Sequence, residues 1–306
     1  MWFKRLTHFL LKHPQLAMLF TFLAAFPPLL GVVSILFAGM MTLLKGPLIG
    51  GMYTVLASVP YVCMFYYDSK VTVVNMGLAV LNNGLTWLLA SAWRREGAKL
   101  SALLQVSALI GVLIVSVVHL VNPDIANWWA KILTEQWKNM PALQTNLSSV
   151  SGTVASTDVV AERISAIKEM ATGYAVVAIL LAAVIQTIIA KWWLATVFKP
   201  GSLKAELHYL RLTPLAGVLF LLAMIFSYWG NPLIFDIIPI LYLLFLGFGL
   251  SLIHYLFGLI QKPTRIFCLL VFYTVFLYTS QFSILVIALL AFMDIWLNFR
   301  RRVQLT

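Results

Sequence analysis

Apolar residues in this chain arrive in blocks of roughly membrane-spanning length. Crossing the hydrocarbon core takes about 20 consecutive, mostly apolar residues in a helix. Ala175–Ile189, Leu215–Ser227 and Ile284–Met293 contain no charged side chain at all. Charged residues make up 10% of the chain and apolar residues 62%. A soluble domain carries about 25% charged residues. Backbone groups in lipid must bond within their own segment, which favours helices. The sequence therefore predicts an all-α fold, a polytopic transmembrane helical bundle with about 8–10 membrane segments. The segments are Gln15–Phe26, Pro28–Leu44, Leu48–Tyr66, Val71–Trp93, Leu100–Val121, Thr172–Trp193, Pro214–Tyr228, Pro232–Leu259, Ile266–Tyr278 and Phe282–Leu297.

The net charge of +11 would suit a nucleic-acid partner, but the placement of the charges argues against one. Of 21 Lys and Arg residues, five (Lys70, Lys131, Lys138, Arg163 and Lys168) fall on one side of the predicted spans. The others, among them Lys4, Arg5, Lys45, Arg94, Arg95, Lys199, Arg211 and Arg300–Arg302, fall on the opposite side. Most acids accompany the minority: Asp68, Asp124, Glu135, Asp158, Glu162, Glu169 and Asp236. This is positive-inside asymmetry. It predicts an integral membrane protein with both termini cytoplasmic, whose basic face meets anionic lipid headgroups. Met1–Lys12 and Trp93–Lys99 are both basic, so an even number of crossings should separate them. Counting Gln15–Phe26 and Pro28–Leu44 as two short legs, broken at Pro27-Pro28, satisfies that parity. The basic start followed by an apolar run resembles a signal peptide, but no Ala-x-Ala site ends it, so an uncleaved first segment is expected.

Three regions follow: N-terminal transmembrane helices over 1–121, an extracytoplasmic connection over 122–171, and C-terminal transmembrane helices over 172–306. In the connection, Ile125, Trp128, Trp129, Ile132 and Leu133 have helical spacing, which predicts an interfacial amphipathic helix. Thr145–Thr157 reads as a loop, and Val159–Met170 as a polar helix with Asp158 as its N-cap. The whole connection is either a plain connector or a lid. In the last region, Pro200-Gly201 turns the chain into a short cytoplasmic helix over Ser202–Leu212.

Ionisable and amide side chains at membrane depth are the candidates for function. Asn75 and Asn82 share a face of Val71–Trp93, and with Gln186 they could line a polar, solute-binding cavity or glue helices together. Asp294 joins this candidate set; its alternative role is an ion pair with Arg300–Arg302 or Arg211. Asp236 near a helix start and His119 near a helix end read as structural. Cys63 and Cys268, both in apolar helices, predict buried thiols and neither a disulfide nor a metal site. Asn146-Leu147-Ser148 matches a glycosylation acceptor. No nucleotide, metalloprotease or serine-hydrolase motif occurs, so no cofactor and no enzyme activity is expected.

The stretch from Trp192-Trp193 through a short apolar link to Pro200-Gly201, Glu206 and Leu210-Arg211-Leu212 resembles the YybS-like family of uncharacterised bacterial membrane proteins. The closing run Leu289–Arg301, with Asp294 before Phe299-Arg300-Arg301, is similar to that family's C-terminal signature. Trp128-Trp129 after Pro123 has a counterpart in proteobacterial members. The resemblance implies kinship with the substrate-binding membrane subunits of energy-coupling-factor transporters, a fold-level analogy. Such subunits dock on a coupling partner through small residues spaced four apart, a spacing that Ala17, Thr21 and Ala25 share.

Two readings result. In one, the chain binds or transports a small solute between its helices, with a membrane or ATPase partner subunit supplying energy. In the other it is a non-catalytic scaffold whose basic cytoplasmic face binds a partner through Trp192, Trp193, Pro200, Gly201, Glu206 and Arg211.

Overall fold

The computed structural model describes residues 2–67, 73–95, 99–138, 157–208 and 210–303. The predicted loop Thr145–Thr157 and the acceptor at Asn146 fall outside or at the edge of these residues, and so do the side chains of Asn75, Asp158 and Gln281. Among the described residues every regular element is helical. The elements are α1 Trp2–Lys12, α2 Pro14–Ala24, α3 Pro28–Lys45, α4 Pro47–Tyr67, α5 Val73–Trp93, α6 Leu100–Val121, α7 Ile125–Lys138 and α8 Thr157–Lys168. They continue with α9 Ala171–Phe198, α10 Ser202–His208, α11 Pro214–Ser227, α12 Pro232–Gly258, α13 Lys262–Tyr278, α14 Ser280–Leu297 and α15 Phe299–Val303.

Prolines punctuate this order. Pro14, Pro28, Pro47, Pro214 and Pro232 each open a helix, where a missing N–H costs nothing. Four helices, α4, α6, α9 and α12, are long and apolar enough to cross a membrane. Pro14–Ala24, Leu30–Lys45, Pro214–Ser227 and Phe282–Leu297 are shorter apolar helices. With α5 and α13 they account for the ten predicted segments. Large apolar side chains cover the exterior; Leu48, Leu120 and Leu277 are each more than three-quarters exposed. Such a surface suits lipid and not water.

α2 and α3 run antiparallel. The Ser34 hydroxyl donates to the Thr21 carbonyl at 2.6 Å, and Phe20 meets Phe37 edge-on. Ala17, Thr21 and Ala25 are buried in this contact, so the small-residue stripe is consumed inside the molecule. α9 is the central helix. At about 1.5 Å per residue its 28 residues reach about 42 Å. Its inward face carries Gly173, Val176, Leu180, Ala183, Thr187 and Ala190, all buried, and small residues there let α3, α5, α6 and α12 approach. Contacts at its two ends fix the directions. Its start meets Asp236 near the start of α12, and the end of α6. Its far end meets Thr7 of α1, through Trp193. α9 and α12 thus run parallel, with α6 antiparallel to both.

Three expectations shift. Cys63 and Cys268 are free thiols but half-buried. Asp158 lies within α8, which starts at Thr157. The cytoplasmic helix predicted over Ser202–Leu212 ends at His208, and Leu210–Thr213 has no regular secondary structure. Pro214 pushes the preceding Thr213 out of the helical region, to φ −77°, ψ 150°, so α10 cannot run on into α11.

α12 and α14 pack closely through Gly249, where an added Cβ would overlap the Ile287 carbonyl. Gly249→Ala should destabilise the detergent-solubilised protein by about 1–3 kcal/mol, read as a lower thermal midpoint. Gly247→Ala is the control. Its Cβ meets open space, so the midpoint should hold or rise.

Candidate functional site

Polar side chains inside an apolar bundle must find partners, because an unmet polar group there costs free energy. Three clusters do so, at one end, the middle and the other end of the bundle.

The first lies where α6 ends and α9 and α12 begin. Asp236 is 1% exposed. One carboxylate oxygen stands 2.7 Å from His119 Nε2, and the other accepts the Gly173 N–H at 2.8 Å. Gly173 must be glycine, because a Cβ would overlap the Asp236 carbonyl. Beside it, Trp129 of α7 donates its indole N–H to Thr172 at 2.9 Å, which ties the amphipathic helix to the bundle. Asn231, rather than Asp236, caps α12, its side chain accepting the Leu233 N–H at 2.9 Å. The sequence reading treated His119 and Asp236 singly; the structure joins them. One signal was available: an ionisable group at membrane depth needs a named partner, and these two fall at the same end of their spans.

The second cluster is in the middle. Asn82 donates to Gln186 at 3.1 Å, and Thr86 donates to the same Gln186 oxygen at 2.6 Å. Asn83 donates to Ser58 at 3.0 Å. Asn82 and Gln186 therefore meet directly, as glue between α5 and α9. The Asn82 side-chain oxygen is buried without a partner among the described residues. Neither residue lines a hollow described in the bundle.

The third cluster, at the basic end, arises from the end of α10. A helix that stops leaves carbonyls unbonded. The Leu207 carbonyl accepts the Ser251 hydroxyl at 2.6 Å, and the Leu210 carbonyl accepts Arg300. Arg300 also donates to Ser251 at 3.1 Å and stands over the Tyr255 ring at 5.8 Å. It is 6% exposed, and its Nε has no hydrogen-bond partner among the described residues. Burial lowers the pKa of its guanidinium and Asp294 pushes it back up, while Arg211 adds to the lowering. An arginine stays charged through such shifts.

Asp294 belongs here and is remote from Asn82 in the chain's architecture. Asn298 takes the left-handed conformation at φ 50°, which ends α14 and turns the Phe299 N–H onto the Asp294 carboxylate at 3.0 Å. Asp294 thus caps α15, and among the described residues it makes no ion pair within 4.0 Å. Of the proposed partner contacts, two face inward. Trp193 is buried against Thr7, and Glu206 accepts the Trp93 indole N–H at 3.1 Å. Trp192, Pro200, Gly201 and Arg211 are exposed.

Beside the Leu210–Thr213 strap lies an apolar hollow of about 540 Å³ between α9, α10 and α12. Trp192, Leu207, Leu210, Gly247, Ser251 and His254 are among its walls. A second hollow of about 290 Å³, between α6, α9 and α12, shares Leu207, Leu210, Gly247 and Leu250 with it. Sequence reasoning could not find either, since both depend on the strap. Among the described residues no group of three or more His, Cys, Asp and Glu side chains could hold a metal ion.

Removing Asp236 should cost far more than removing Asn82. Asp236→Ala strands His119 and a buried N–H and should cost about 3 kcal/mol or more. Asn82→Leu removes one interhelical amide bond, worth about 0.6–2 kcal/mol in lipid. Thermal unfolding in detergent checks the ranking; equal losses would mean that the amide pair is the stronger lock.

No protein-family model matches the chain, nor does any curated protein or solved structure.

Proposed function

We propose that this chain is a non-catalytic, multi-pass protein of the bacterial inner membrane that binds a small molecule with an apolar body in the hollow beside the strap. One observation carries the reading. The hollow measures about 540 Å³, and ligand sites typically span about 300–1,000 Å³ with mostly apolar walls and a few polar groups. Thr196, Ser251 and His254 are polar groups in the wall. Asn82 and Gln186 bond to each other, and neither is among the residues lining this hollow. The hollow favours a solute site at the basic end over one among the mid-membrane amides.

The concentration of Lys and Arg at that end supports a cytoplasmic orientation for it, with both termini on the same side. The YybS-like resemblance fits a substrate-binding subunit that works with a membrane or ATPase partner. Such a partner would dock on a face other than Ala17–Thr21–Ala25, which is buried. A pure scaffold is less well supported, because Trp193 and Glu206 are engaged internally.

Native mass spectrometry of protein extracted gently from its own membrane tests the reading. The expected result is a stoichiometric apolar or amphiphilic small molecule. Gly247→Trp should abolish it, because position 247 lines both hollows and its Cβ points into open space. Retention of the same molecule by Gly247→Trp would place the site elsewhere.

A further inference from the structure

A cation buried in a low-dielectric setting is costly unless a negative charge offsets it. Arg300 is such a cation. It is 6% exposed, and its bonds go to a neutral carbonyl and a hydroxyl. No carboxylate lies within 4.0 Å of it among the described residues, and its Nε has no partner. Asp294 compensates in part, but one of its oxygens is taken by the Phe299 N–H.

The position of Arg300 gives this meaning. Leu210 and Ser251, the two groups it bonds, are both walls of the larger hollow. The guanidinium thus stands directly behind an apolar chamber. Arg211 adjoins the wall residue Leu210, and Lys199 adjoins the wall residue Pro200; both side chains are exposed. No carboxylate lines the hollow. Glu206, on the neighbouring α10, is turned away to the Trp93 indole. An apolar chamber with a positive wall and positive rim is complementary to one class of ligand. That ligand has a long apolar part and an anionic head.

We propose that the hollow holds an acyl chain of an anionic membrane lipid, with the negative headgroup outside it near the exposed Arg211 and Lys199 and with Arg300 adding positive potential from behind the wall. The smaller hollow, across Leu207 and Leu210, gives a second acyl chain an adjoining apolar space. This inference rests on the binding site proposed above and names its ligand class. The lipid comes from the leaflet that the basic end faces, where anionic headgroups gather positive side chains.

The test uses the full chain in nanodiscs of phosphatidylcholine and phosphatidylglycerol in equal amounts, with retained lipid identified by native mass spectrometry. The expected result is retention of phosphatidylglycerol over phosphatidylcholine by about tenfold, a preference worth about 1.4 kcal/mol. Gly247→Trp should remove the retained lipid. Arg211→Gln with Lys199→Gln should shrink the preference several-fold while lipid is still retained. Arg300→Lys should keep the preference and Arg300→Gln should lose it. Should Arg300→Gln fail to fold, the exposed pair and Gly247→Trp decide the matter. Retention of a neutral lipid without headgroup preference overturns the anionic assignment and leaves the binding site standing. Phosphatidylglycerol retained equally by Gly247→Trp marks a lipid bound on the outer surface, and overturns both.

Discussion

A peptide carbonyl that leaves a helix in a water-poor setting must be met by some other donor. The basic end of this molecule is organised around two such carbonyls, Leu207 and Leu210. Pro214 pushes Thr213 out of the helical region, so α10 cannot run into α11. Ser251 answers one carbonyl and Arg300 the other. Arg300 can reach inward because Asn298 adopts a left-handed backbone and Asp294 caps the short helix that follows. The strap held in this way stands away from α9 and α12 and leaves the hollow between them. A proline, an asparagine, an aspartate and an arginine thus combine to produce one cavity.

Much of the architecture was legible in the sequence because it follows from local rules. Apolar runs gave the helices, and prolines gave many of their starts. The break at Pro27-Pro28 was readable from the proline ring alone, and the antiparallel packing of α2 on α3 agrees with the charge parity of Met1–Lys12 and Trp93–Lys99. The end of α10 was not legible because helical spacing continues to Leu212, whereas the helix stops at His208.

The candidate sites were less legible because they are made by contacts distant in sequence. His119 and Asp236 are 117 positions apart, and Asn82 and Gln186 are 104 apart. Composition marks such residues as needing partners; it does not say which partner each finds. Asn82 and Gln186 read from the sequence as lining a cavity or gluing helices, and they bond to each other between α5 and α9. Arg300 looked like one of three surface cations at the C-terminus. Its burial depends on the turn at Asn298, which no spacing rule announces.

α12 is fastened near both ends. Asp236 ties its first turns to the backbone of α9 and to α6, and Ser251 ties its last turns to α10 and α15. Between these fastenings lies Pro239, a buried proline inside the helix, which cannot donate to the Phe235 carbonyl. A rod pinned at both ends cannot slide along its neighbours or change register, and its free deformation is a bow about its weakest point. Any widening of the spaces beside α12 would then come from flexing at Pro239. The two ends belong to one helix, so that a change at the hydrogen-bonded His119–Asp236 pair would be felt at the strap through that flexing.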